Sequence, residues 1–128
     1  MFLRLSDNEI GRIAQFGERR RFQAGQTVAR AGEVGDGLMV ILSGSVEVTR
    51  AEGGKQVHIV THERGNFLGE LAQLSGRPFL VTAVALTDVE AVAIPPERLR
   101  ALLIAEADLG ERIMRALILR RVGLIEAG

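Results

Sequence analysis

The chain has 128 residues, 47% apolar and 25% charged, enough for one domain with a real core. Its 16 basic and 16 acidic residues cancel, which argues against nucleic-acid binding by bulk electrostatics, and the absence of cysteine excludes disulfides, thiolate metal sites and thiol catalysis. The N-terminus lacks the basic-then-apolar pattern of a signal peptide, and no apolar run is long enough to span a membrane, so a cytoplasmic setting with no membrane partner is expected.

Ser6-Asp7-Asn8-Glu9 has capping-box spacing, and Ile10, Ile13 and Ala14 then mark one face of a helix over 7–16, with Gly17 as its stop. From Arg20 to Ile94 the period changes to two, and glycines punctuate short apolar runs. Leu38-Met39-Val40-Ile41-Leu42 is apolar throughout and predicts a strand covered on both faces. Val46 and Val48 alternate with polar residues in the next strand. Glu52-Gly53-Gly54-Lys55 is a hairpin turn into a strand where Val57, Ile59 and Thr61 alternate with Gln56, His58, Val60 and His62. After Phe67-Leu68, Gly69 opens a short helix closed by Gly76 and Pro78. Phe79–Leu86 and Val89–Ile94 read as two more strands, joined by Thr87-Asp88. Seven or eight strands result.

At Pro95-Pro96 helical spacing returns, with Leu99, Leu102 and Leu103 on one face. Asp108, with Glu111 three residues on, caps a last helix whose apolar residues cover a wide arc. The fold class is therefore mainly β with flanking helices. One domain over 1–128 comprises the helix 7–16, a β-roll over 20–94 and two C-terminal helices within 96–126.

A helix entered through Gly69 offers unpaired backbone N–H groups and a positive dipole end, a ready anion site. His58 and His62 are four residues apart, about 13 Å along a strand and too far to share one metal. They read as polar residues on an exposed sheet face, so no metal site is expected. Asp36 reads as a turn residue. Ser43, Ser45 and Ser75 lack a histidine–carboxylate arrangement, so no catalytic residue and no enzyme activity are expected.

The run Gly32-Glu33-Val34-Gly35-Asp36, the strand Leu38–Gly44, Val46, Val48, and Gly65-Asn66-Phe67-Leu68-Gly69-Glu70-Leu71-Ala72 together resemble the cyclic nucleotide-binding domain superfamily. The resemblance covers roughly residues 5–125. It implies an eight-stranded β-roll (a jelly roll, or double-stranded β-helix) with one helix before it and two after. It also implies that the segment from Gly69 is a phosphate-binding cassette. There, backbone N–H groups hold the cyclic phosphate, Glu70 accepts a hydrogen bond from the ribose 2′-hydroxyl, and an arginine just after the proline pairs with the phosphate.

Gly69, Glu70, Leu71, Ala72, Gly76, Pro78 and Thr82 match that cassette, but the arginine position falls on Phe79 and the small residue after it on Leu80. An arginine–phosphate pair contributes on the order of 1.5–3 kcal/mol, roughly ten- to hundredfold in affinity. Arg77 lies two residues earlier and reaches the pocket only if its turn folds inward. The candidate ligand-binding set is Phe67, Leu68, Gly69, Glu70, Leu71 and Ala72, followed by Arg77, Phe79, Leu80, Val81 and Thr82. Weak, altered or lost binding of cAMP and cGMP is expected, with no cofactor beyond a possible cyclic nucleotide.

The last helix carries Leu117, Ile118, Leu119, Leu124 and Ile125, more apolar residues than one packed face needs. A homodimer or an attached effector domain is expected to cover the remainder. The segments Pro95–Leu103 and Gly110–Glu126 resemble a branch in which the module precedes a flavoprotein of thioredoxin-reductase type. The resemblance thus implies a non-catalytic regulatory module. The alternative is a degenerate module, its pocket filled by Phe79 and Leu80, acting as a structural dimerisation or docking domain for a redox enzyme.

Overall fold

The computed structural model describes residues 4–34, 37–69 and 78–127, with side chains through residue 119. Among them are eight strands and three helices. Helix α1 (Asp7–Ala14) leads into β1 (Glu18–Phe22), β2 (Thr27–Ala29), β3 (Leu38–Ser43), β4 (Val46–Glu52) and β5 (Lys55–His62). Strands β6 (Phe67–Leu68), β7 (Thr82–Ala85) and β8 (Val89–Ile94) follow, then α2 (Pro96–Ala105) and α3 (Ala107–Ala127). The strands form two antiparallel four-stranded sheets, in the orders β1-β8-β3-β6 and β2-β7-β4-β5. This is the expected mainly-β roll with one N-terminal and two C-terminal helices.

The middle strands of the first sheet, β3 and β8, are buried on both faces, while β1 at its edge is largely exposed; successive side chains of a strand point to opposite sides. Leu38, Val40, Val92 and Ile94 face the helices, where they join Ile10, Ile13, Leu99, Leu102, Leu109 and Ile113 in one core. Ile41, Val89 and Ala91 face the second sheet and form another core with Val46, Val48, Ala83 and Ala85. The continuous apolar run of β3 thus has the two covered faces its sequence calls for.

Helix α1 starts as predicted. Ser6 Oγ accepts from Glu9 N–H at 3.2 Å, and the Ser6 N–H donates to Glu9 Oε1 at 2.9 Å. The other oxygen of Glu9 pairs with Arg112 of α3, so one carboxylate both caps α1 and ties it to the C-terminal helices. Arg12 donates to Glu106 Oε2 at 2.7 Å, a second tie at the end of α2. The helix ends at Ala14 rather than residue 16, with Gln15 as its C-cap.

Three expectations are corrected. First, Phe79–Leu86 is not a single strand: pairing begins only at Thr82, because the backbone of Phe79 bonds to the turn after β2 instead of to a ladder. Second, α3 begins at Ala107, which places Asp108 within its first turn rather than at the cap. Third, His58 and His62 do not share an exposed face. A β-bulge pairs Val48 with Val60 but Thr49 with His58, which leaves Ile59 as the extra residue and reverses the alternation. His58 stays outside, 3.1 Å from Glu47, whereas His62 turns inward opposite Val46 and is 3% exposed. The hairpin is as predicted: Gly53 and Gly54 both take positive φ (59° and 81°), the two-residue turn that suits strand twist.

Phe67 is fully buried in the helix-facing core, so Phe67→Ala should cost about 3–5 kcal/mol, read as a lower urea midpoint. The Arg12 hydrogen bond holds the Glu106 carboxyl below its ordinary value. The stability this pair contributes is present above the ordinary carboxylate range and disappears as pH falls through the lowered value. Urea midpoints of the unaltered chain and Arg12→Gln should therefore differ at pH 7 and converge under strongly acid conditions.

Candidate functional site

Strand β2 is short because the chain must turn back at Gly32, and its far end is held from two sides. The Ala31 N–H donates to Thr82 Oγ1 at 3.1 Å. The Gly32 N–H donates to the Phe79 carbonyl at 3.0 Å, and the Phe79 N–H donates to the Glu33 carbonyl at 2.9 Å. This reciprocal backbone bridge fastens the segment before β7 to the β2–β3 turn.

Between these elements lies a cavity of about 370 Å³, of a size suited to a small organic ligand. Thr27, Val28, Ala29 and Arg30 of β2 and its exit form one wall. Glu33 and Val34 of the turn, with Gly37 and Met39 at the start of β3, form the next. Leu68 and Phe79 close it on the side of the predicted cassette. Most of the lining residues are apolar in type, but polar atoms make up the larger part of the wall, and one arginine and one carboxylate are among the described residues. Those two charges face each other, Arg30 Nε lying 3.5 Å from Glu33 Oε1.

The predicted site residues separate in this frame. Phe67 and Leu68 are neighbours on β6 and so point to opposite faces: Phe67 into the helix-facing core, Leu68 into the cavity. Phe79 lines the cavity. Leu80 is 41% exposed and does not line it, contrary to the expectation that Phe79 and Leu80 together fill the pocket. Val81 packs against the core between the sheets, and the Thr82 hydroxyl is an acceptor for the β2 exit rather than a free contact. Gly69 directly follows the cavity residue Leu68. Glu70, Leu71, Ala72 and Arg77 lie outside the described residues, as do Asp36 and Ser75.

The β2 wall went unseen in the sequence because a strand of three residues is too short to show an alternation. Arg30 and Glu33 carried a weaker signal: charges beside a turn glycine between two strands. No group of three or more His, Cys, Asp or Glu that could hold a metal occurs among the described residues. Nor is any described helix long and apolar enough to cross a membrane.

A family model for the cyclic nucleotide-binding domain matches residues 19–106, which include every described residue of the cavity. A cAMP-dependent protein kinase regulatory subunit of Mucor circinelloides f. lusitanicus is 40% identical over 81 residues, covering 63% of this chain and 19% of that protein. A CRP-like cAMP-activated global transcriptional regulator of Mycobacterium tuberculosis is 31% identical over 100 residues, covering 77% of this chain and 45% of that one. The crystal structure of Thermus thermophilus catabolite activator protein superposes with a TM-score of 0.79 at 26% identity, over 96% of this chain and 58% of that chain. The chain thus spans less than half the length of these two curated relatives.

The cavity edge at Gly37 is sterically strict. Its φ is +98°, and a Cβ there would collide with the Ile94 carbonyl oxygen. Gly37→Ala should destabilise the fold by roughly 1–3 kcal/mol, visible as a lower melting temperature.

Proposed function

Because the chain belongs to the cyclic nucleotide-binding domain family, we propose that it is a regulatory module whose cavity takes a cyclic nucleoside monophosphate, with its affinity for cAMP and cGMP altered by Phe79. The observation that carries this reading is the position of Phe79. The resemblance assigns that place to the arginine that pairs with phosphate, and here the phenyl ring lines the cavity between Leu68 and the β2–β3 turn. An aromatic ring offers stacking and apolar contact but no charge, so phosphate pairing is exchanged for contact with the flat body of the ligand.

The apolar side chains of Val28, Met39 and Leu68 suit a purine, and the resemblance assigns the phosphate to the segment that opens at Gly69. The relatives named above are regulators, which supports a non-catalytic role. The alternative of a filled, purely structural module loses its main argument with Leu80 at the surface. Ligand occupancy would act by shifting the population of α2–α3 arrangements. Ile104, Ile118 and Leu119 are exposed on those helices, which supports association of the module there with a second copy or an attached effector.

Titration with cAMP and cGMP should raise the melting temperature in proportion to the logarithm of ligand concentration once binding saturates. Phe79→Arg should tighten cyclic-nucleotide binding by about ten- to hundredfold, read by isothermal titration calorimetry. If neither the unaltered chain nor Phe79→Arg responds to any cyclic nucleotide, the reading is wrong.

A further inference from the structure

The cavity's positive charge among the described residues is Arg30 at the exit of β2, and its guanidinium is only partly engaged. Arg30 meets Glu33 through Nε alone, at 3.5 Å, longer than an ordinary N–H···O hydrogen bond. Among the described residues, neither terminal nitrogen of Arg30 has a partner. A guanidinium has five N–H donors in a planar fork, and the pair of terminal nitrogens is suited to bidentate pairing with an anion such as a phosphate. Its place is fixed from both sides: Ala29 pairs with Ala83, and the Ala31 N–H is held by Thr82. The backbone carrying Arg30 is therefore anchored while its long side chain stays free to swing.

We propose that Arg30 is the cation that pairs with the anionic group of the ligand, and that Glu33 holds it beforehand and releases it on binding. The proposal rests on the reading of the cavity as a cyclic-nucleotide pocket. The charge then comes from the β2–β3 turn instead of the segment after Pro78. Glu33 becomes a competitor for the phosphate, and its carboxylate sets a threshold against weak anions. Since the backbone of Glu33 is bonded to Phe79, both arms of this exchange are mounted on the same bridge.

The test is calorimetric titration with cAMP and with cGMP at fixed ionic strength. Arg30→Gln should weaken binding at least tenfold, with the melting temperature of the ligand-free chain unchanged. Glu33→Gln should do the opposite and tighten binding severalfold. A misfolded variant cannot mimic that gain. Binding by the unaltered chain that survives Arg30→Gln undiminished, or that is not tightened by Glu33→Gln, overturns the role of Arg30 and leaves the pocket reading standing. The role of Arg30 also falls if the unaltered chain is silent while Phe79→Arg binds. Silence of both overturns the pocket reading itself, and this inference with it.

Discussion

The backbone bridge between Phe79 and the turn at Gly32-Glu33 is the constraint on which the site depends. Two hydrogen bonds, 3.0 and 2.9 Å long, join segments nearly fifty residues apart. They are made by main-chain groups, so they survive any change of side chain that leaves the backbone path intact. The bridge keeps the walls of the cavity together where the roll would otherwise open, since β2 is only three residues long and cannot hold that edge by pairing alone. It also fixes the position of residue 79 through main-chain N–H and C=O, so the bridge itself makes no demand on the side chain.

That freedom explains which parts of the molecule were legible in the sequence. The β3 strand was, because a continuous apolar run answers to cover on both faces, and both cores use it. The capping box at Ser6 was, because it is a local pattern with a local structure. The strand after Gly54 was not. Its alternation looks regular in sequence, but the bulge at Ile59 reverses it and carries His62 inward. A bulge is a property of the pair of strands, set by the register of β4 against β5, and one strand read alone does not contain it. The start of β7 was misplaced for a similar reason. Phe79, Leu80 and Val81 have strand-like composition, but their backbone partner lies in a turn more than forty residues upstream.

Phe67 shows the limit of reading a site from a pattern of residue types. Adjacent residues of a strand must face opposite ways, so Phe67 and Leu68 cannot both contact one ligand. Phe67 belongs to the core beneath the helices, and Leu68 to the cavity. Assigning both to the site from a motif treats a strand as if it had one face. The β2 wall, by contrast, is made of side chains brought in by topology: β2 lies beside β7 in the sheet although over fifty residues separate them in the chain.

The shared strand β6 also supplies a physical route between cavity and helices. Leu68 lines the cavity, and the side chain before it on the same strand, Phe67, lies fully buried against the helical core. A close-packed interior does not absorb a displacement of that strand locally. The core around Phe67 includes Ile10 and Ile13 of α1, Leu99 and Leu102 of α2, and Leu109 and Ile113 of α3. Helix α1 is in turn bound to α2 and α3 through Arg12–Glu106 and Glu9–Arg112. The three helices therefore meet the roll as a joined layer, and a shift of β6 is felt by the layer as a whole. The ion pairs are partly solvated and individually weak, so the packing of the apolar core, more than these contacts, holds the layer on the roll.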